Sequence, residues 1–324
     1  DDEKRLKEIL NQLKSRLEMG FMSNGHSTAV NRAMSYFSQG SWYKELVEGI
    51  AFYQFLCDTL KNYETRKAEV IRRLNSIGQK IFRKAYLLAD MTMDQEGLQL
   101  CLKPLAAFGG KLYTTPMSET DCSIKAVGIC PKHGEAFITA GMVQYNACTG
   151  SYAESGITYN GSMNVLKNVL GNEYLWNNVR VKGGAYGCMC GFAPSGNGYF
   201  TSYRDPNLAK TYDIYTDAAA YVQSLELDER ELTKYIIGAI GAIDTPMTAS
   251  MKGSRSLAAY LGERSFEQIQ KNRDELLSTT VEDLRKLSGA VAAITEAGHI
   301  CVIGSESKIT EEKERFEHVE QLIQ

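Results

Sequence analysis

No apolar run of about 18 residues occurs in the 324-residue chain, so no membrane-spanning helix is expected. Charge of neither sign dominates. Lys and Arg number 36 against 39 Asp and Glu, a net charge of −3, which leaves no electrostatic case for nucleic acid or a membrane surface as partner. There is no short-period repeat and no low-complexity tract. Gly-x-Ser-x-Gly is missing, so a serine hydrolase has no support. Gly183-Gly184-Ala185-Tyr186-Gly187 is glycine-rich, yet it carries neither the Gly-Lys-Ser/Thr of a phosphate loop nor Gly-x-Gly-x-x-Gly, and Lys252-Gly253-Ser254 has the wrong order. Histidine is scarce, at positions 26, 133, 299 and 318 only.

Cysteine is present, at 57, 101, 122, 130, 148, 188, 190 and 301. The spacing is irregular and most surroundings are apolar. That favours small buried hydrophobes in a reducing compartment, the cytoplasm or an organelle matrix, over disulfides. Cys188 and Cys190 would share one face of a strand and could hold a soft metal, but with no further ligand nearby core packing is the better reading. A hydrophobic content of 44% and a charged content of 23% are ordinary for a globular protein, and the length allows about two domains. The chain opens Asp1-Asp2-Glu3, directly inside a charged helix and with no signal peptide, which reads as a fragment of something longer.

Leu6, Leu10, Leu13 and Leu17 recur at helical spacing, so 2–19 reads as an amphipathic helix, broken by 20–25. Further helices are expected over 27–37, from Ser41 to about 60, and over 64–81. Residues 85–91 read as a strand, and Asp94 as the cap of a helix ending at Gly109-Gly110. The Thr- and Ser-rich stretch 111–122 reads as the linker between domains. Strands follow at 123–130 and 136–147, then a helix over 162–180. Ser195-Gly196-Asn197-Gly198 signals a hairpin. Helices are expected at 207–225, 228–243, 251–262, 265–277 and 280–289, with Asp228/Glu231 and Thr280/Asp283 as capping boxes. A strand at 299–304 and a charged helix end the chain. The class is α+β: mainly antiparallel sheets covered by helices on one face.

The most informative stretch is Arg180-Val-Lys-Gly183-Gly184-Ala-Tyr186-Gly, at a helix-to-strand junction. The glycines allow a sharp turn, which would bring a guanidinium and a phenol to one point at a sheet edge. Both are donors suited to a developing oxyanion. Taken alone, the spacing also fits an arginine capping a helix end and a tyrosine packed in a core. Lys182 reads as solvated.

This stretch resembles the Arg/Tyr element in the carboxyl-terminal half of pitrilysin/insulinase-type zinc metallopeptidases, most closely the presequence protease branch. Gly25-His26, Ala33-Met-Ser-Tyr-Phe-Ser and Trp42 are similar to the segment preceding it, and Asp244-Thr-Pro246, Lys252-Gly253-Ser-Arg255 and 273–284 to the terminal helical region. The resemblance implies two α/β modules: 1–110 as the incomplete end of a third, and 123–324 as a complete fourth. It implies an endopeptidase acting on unfolded peptides, with Arg180 and Tyr186 catalytic and, with Gly183 and Gly184, substrate-binding. It also implies zinc held by His-x-x-Glu-His in an amino-terminal half. No histidine here has Glu-His three residues on, so the chain is expected to bind no metal, to be inactive alone and to have that half as partner. The alternative is a non-catalytic scaffold or substrate-binding subunit pairing with a separate catalytic chain.

Overall fold

The computed structural model describes residues 2–115 and 127–323. Helices α1 (Glu3–Met34), α2 (Gln39–Glu48), α3 (Ile50–Lys61), α4 (Tyr63–Ile81) and α5 (Gln95–Gly109) come first. Strands β1 (Glu135–Thr139) and β2 (Tyr145–Ser151) follow, then α6 (Ser162–Val169), a π-helix (Leu170–Val181), β3 (Gly187–Phe192) and β4 (Asn197–Tyr203). The remainder is α7 (Ala209–Gln223), α8 (Glu229–Ile243), α9 (Ala249–Leu261), α10 (Phe266–Leu277), α11 (Val281–Lys286), α12 (Ser288–Thr295), β5 (His299–Ser305), α13 (Glu306–Glu311) and β6 (His318–Gln321).

The helix starts follow from capping chemistry. Asp94 accepts from the Gly97 amide, and the boxes at Asp228/Glu231 and Thr280/Asp283 are both closed. The expected break at 20–25 is present as a kink: Asn24 leaves helical geometry (φ −124°, ψ 31°), so α1 is two helical stretches joined there. Gly25 serves a close approach there: a Cβ would lie 2.3 Å from the Tyr145 ring. Residues 85–91 are not a strand. A 3₁₀ turn at Lys84–Tyr86 and irregular chain replace it; among the described residues the segment pairs with no strand, and an isolated bridge from Arg83 to Tyr113 stands just before it. The expected strand at 136–147 is two strands separated by a turn, and the charged terminal helix is short α13 followed by edge strand β6. Of the expected strand at 123–130, residues 127–130 are irregular and the rest, like 116–122 of the linker, lies outside the described residues.

One mixed sheet has the order β3-β4-β2-β5-β1-β6. The pairings β3/β4, β4/β2 and β2/β5 are antiparallel, and β5/β1 and β1/β6 are parallel. Alternation along the strands splits the core. Ala136, Cys148, Phe200 and Val302 pack with Leu166, Val179, Tyr215 and Ile294 on one face. On the other, Phe137, Tyr145, Ala147, Cys301 and Ile303 pack with Phe21 and Ala33 of α1, Tyr36 just after it, and Tyr53 of α3. On that second face the buried Arg32 guanidinium reaches Glu135 (2.5 and 2.9 Å) and Glu45 (3.1 Å), tying α1 and α2 to β1.

The chain divides into two compact units. One draws on Asp1–Ile9, Asp58–Ala126 and Thr245–Ile269 and contains α4, α5 and α9; Tyr63 is its one buried apolar side chain among the described residues. The other draws on Leu10–Cys57, Val127–Asp244 and Gln270–Gln324 and holds the sheet.

Candidate functional site

The Arg/Tyr element sits where the π-helix feeds β3. Leu170, Tyr174, Leu175 and Val179 are buried, which fixes the helix against the sheet and leaves Trp176 and Arg180 facing out. Its i→i+5 bonding ends with the Lys182 amide donating to the Asn177 carbonyl at 3.0 Å. The chain then turns through the two glycines. A Cβ on Gly183 would stand 2.4 Å from the Val179 carbonyl oxygen, and Gly184 has φ +83°, a left-handed value that glycine adopts freely. Ala185 goes into the core. Tyr186 is 64% exposed, with its amide shared by the Tyr203 and Arg204 carbonyls at 3.1 and 3.3 Å.

The structure brings Arg180 and Tyr186 together. The Arg180 guanidinium carbon lies 5.2 Å from the Tyr186 ring centroid and 4.4 Å from that of Trp176. One Nη donates to the backbone carbonyl of Tyr186. The arginine therefore reaches across the turn instead of capping its own helix, and the tyrosine is not a core residue. Both rings face the cation, an arrangement favoured by the aromatic quadrupole. One of the five guanidinium donors is engaged, and the Tyr186 hydroxyl bonds nothing among the described residues. Lys182 is exposed, 3.2 Å from the Asn178 side chain.

Sequence reasoning missed three neighbours. Trp176 lies one helical step before Arg180, and that spacing was the available signal. Tyr203 packs edge-on to Tyr186 at 5.8 Å and to His26 at 5.1 Å, so the kinked part of α1 borders the same surface. Asn207 donates to the Gly183 carbonyl at 2.6 Å, across a gap in sequence that no local pattern reveals.

The remaining candidates are structural. Burial pushes the Cys188 thiol up to about 11, against a smaller opposing pull from Arg180, and Cys190 up to about 12. Neither is a thiolate nucleophile at neutral pH. Gly253 lies inside α9, where a Cβ would meet the Thr92 hydroxyl at 1.8 Å, so it marks close packing. Asp244 caps α8 and receives Arg273 at 2.7 Å. Among the described residues no zinc site is assembled: the ring centres of His133 and His299 are 6.2 Å apart, and the His299 ring stacks on Phe37 at 4.8 Å. No group of three or more His, Cys, Asp or Glu that could hold a metal exists among the described residues.

Comparisons with known proteins give the chain a family. Residues 134–306 match the family model described as PreP C-terminal domain, and residues 1–59 match a second model, that of a peptidase-associated region. Protein HypA of Clostridium perfringens is 32% identical over 323 residues, covering 100% of this chain and 33% of that protein. Presequence protease 1, chloroplastic/mitochondrial, of Arabidopsis thaliana is 30% identical over 309 residues, covering 95% of this chain and 28% of that protein. A crystal structure of a protease from Helicobacter pylori is similar with a TM-score of 0.44 and 13% identity, over 65% of this chain and 52% of that one. The chain thus spans about a third of the length of the curated relatives it matches. It belongs to the PreP C-terminal domain family, within the pitrilysin/insulinase-type metallopeptidases.

Proposed function

We propose that this chain is the carboxyl-terminal portion of a zinc-dependent endopeptidase that degrades unfolded peptides, and that it supplies Arg180 and Tyr186 to the substrate carbonyl. The observation that carries the reading is the pair itself. A cation and an exposed phenol are held against each other, 5.2 Å from guanidinium carbon to ring centroid, on a buried helix-to-strand junction. Zinc is assigned to an amino-terminal partner portion, and this chain's share of the chemistry is positional and electrostatic. As the scissile carbonyl becomes tetrahedral, its oxygen gains charge. Donors fixed in advance stabilise that charge without reorganising. Gly183 and Gly184 are assigned to substrate binding through the turn they form, which carries the backbone from Arg180 to Tyr186. A reducing compartment suits the seven described cysteines, all free.

The test is steady-state cleavage of an unfolded peptide by full-length protein carrying Arg180→Ala or Tyr186→Phe, beside thermal melts. Loss of one oxyanion donor costs about 3 kcal/mol, so kcat should fall on the order of 10²-fold, more for Arg180→Ala, with KM nearly unchanged. Wild-type turnover by both variants with normal melts would overturn the assignment.

A further inference from the structure

We infer that Asn207, held by the buried carboxylate of Asp205, is a positioning residue for the Arg180/Tyr186 element. This rests on the reading of those two residues as donors to the peptide carbonyl. The segment Tyr203–Asn207, between β4 and α7, is the surface on which the Gly-Gly turn lies. Tyr203 and Arg204 accept the Tyr186 amide at 3.1 and 3.3 Å. Pro206 stands 3.5 Å from where a Gly184 Cβ would be. Asn207 Nδ2 donates to the Gly183 carbonyl at 2.6 Å. Arg204 takes a left-handed φ of +49°, so the mould itself departs from relaxed strand geometry.

Asp205 holds this segment in place. It is fully buried, and neutral donors take the place of water around it: the Asn207 amide N–H at 2.9 Å, Thr211 Oγ1 at 2.7 Å and Asn146 Nδ2 at 3.2 Å. Its backbone exchanges bonds of 2.7 and 2.9 Å with Gln144 just before β2. A buried anion is costly to desolvate and demands donors in fixed places. Here those donors include the residue that grips Gly183. Backbone bonds close the Gly-Gly turn, from the Gly184 amide to the Arg180 carbonyl at 2.8 Å and from the Ala185 amide to the Val179 carbonyl at 3.1 Å, and Asn207 adds a side-chain restraint from outside the turn at the Gly183 carbonyl. Releasing that carbonyl loosens the turn whose geometry sets the distance between Arg180 and Tyr186.

Asn207→Ala is the cleaner probe than any change at Asp205, because its backbone N–H still bonds the carboxylate. In the full-length protein it should speed amide exchange at 184–186 by about 10-fold and leave β2 and β5 protected. It should lower kcat roughly 30-fold with KM within about threefold, and cost less than about threefold further when added to Arg180→Ala/Tyr186→Phe. Unchanged exchange at the turn, an equal loss in both backgrounds, or a collapsed melt would each overturn the inference. Wild-type cleavage by Arg180→Ala/Tyr186→Phe would sink the donor reading alone, and the exchange measurement would still decide whether Asn207 holds the turn.

Discussion

At the scale of single residues, the two adjacent glycines have different physical reasons to be there. Gly184 needs its backbone freedom, with φ +83°, while its absent Cβ would meet only Pro206 at 3.5 Å. Gly183 needs its absent side chain, because a Cβ would press on the Val179 carbonyl at 2.4 Å, a backbone atom inside the buried helix end. Gly184→Ala should therefore cost about 1 kcal/mol, the ordinary penalty for a left-handed alanine. Gly183→Ala should cost more, since the helix end must open to admit the methyl. Urea melts of the two variants check the order; equal losses would contradict it. In sequence the pair reads as one flexible unit, since nothing local separates a torsional need from a steric one.

At the scale of elements, the helix before the turn is a long π-run, and such runs usually amount to a single turn. Burial of Val179 and projection of Arg180 follow from its register. The neighbouring α1 is anchored by charge as well as by packing. Arg32 is buried between Glu45 and Glu135, and Glu45 further accepts from Asn31 at 2.7 Å and from the Ile50 amide at 3.1 Å. Arg32→Ala would leave the buried Glu45 carboxylate without its cation and Glu135 with Lys132 at 3.7 Å alone. A loss of about 3–5 kcal/mol is expected, read from denaturant unfolding. A loss below about 1 kcal/mol would mean that the pairs behave as surface salt bridges do.

At the scale of the whole molecule, the two compact units differ in how they are stabilised. The sheet unit buries both sheet faces. The helical unit has Tyr63 as its one buried apolar side chain among the described residues, while Leu100, Tyr260 and Phe266 are more than 70% exposed. Burial is the main favourable term in folding, so this unit should open first. Native-state hydrogen exchange on the chain should show α4, α5 and α9 losing protection well before β2 and β5. Uniform protection in a monomeric sample would count against it. Apolar surface of this kind commonly meets another protein surface.

Local chemistry was legible throughout the sequence. Caps at Asp94, Asp228 and Thr280, the hairpin at 195–198, the strand at 299–304 and the Arg180–Tyr186 junction all depend on residues within a few positions of one another. The mainly antiparallel, helix-rich class followed from the same patterns. What tertiary structure alone decided has long sequence separation in common. Gly25 has no side chain because the Tyr145 ring fills that space, and β6 forms because β1 offers it an edge. Asn207 finds Gly183 only once β3 and β4 have paired and set the β4–α7 segment beneath the turn. Periodicity reports which face of a segment is apolar. It carries no record of what that face, or a polar side chain, will meet from elsewhere in the chain.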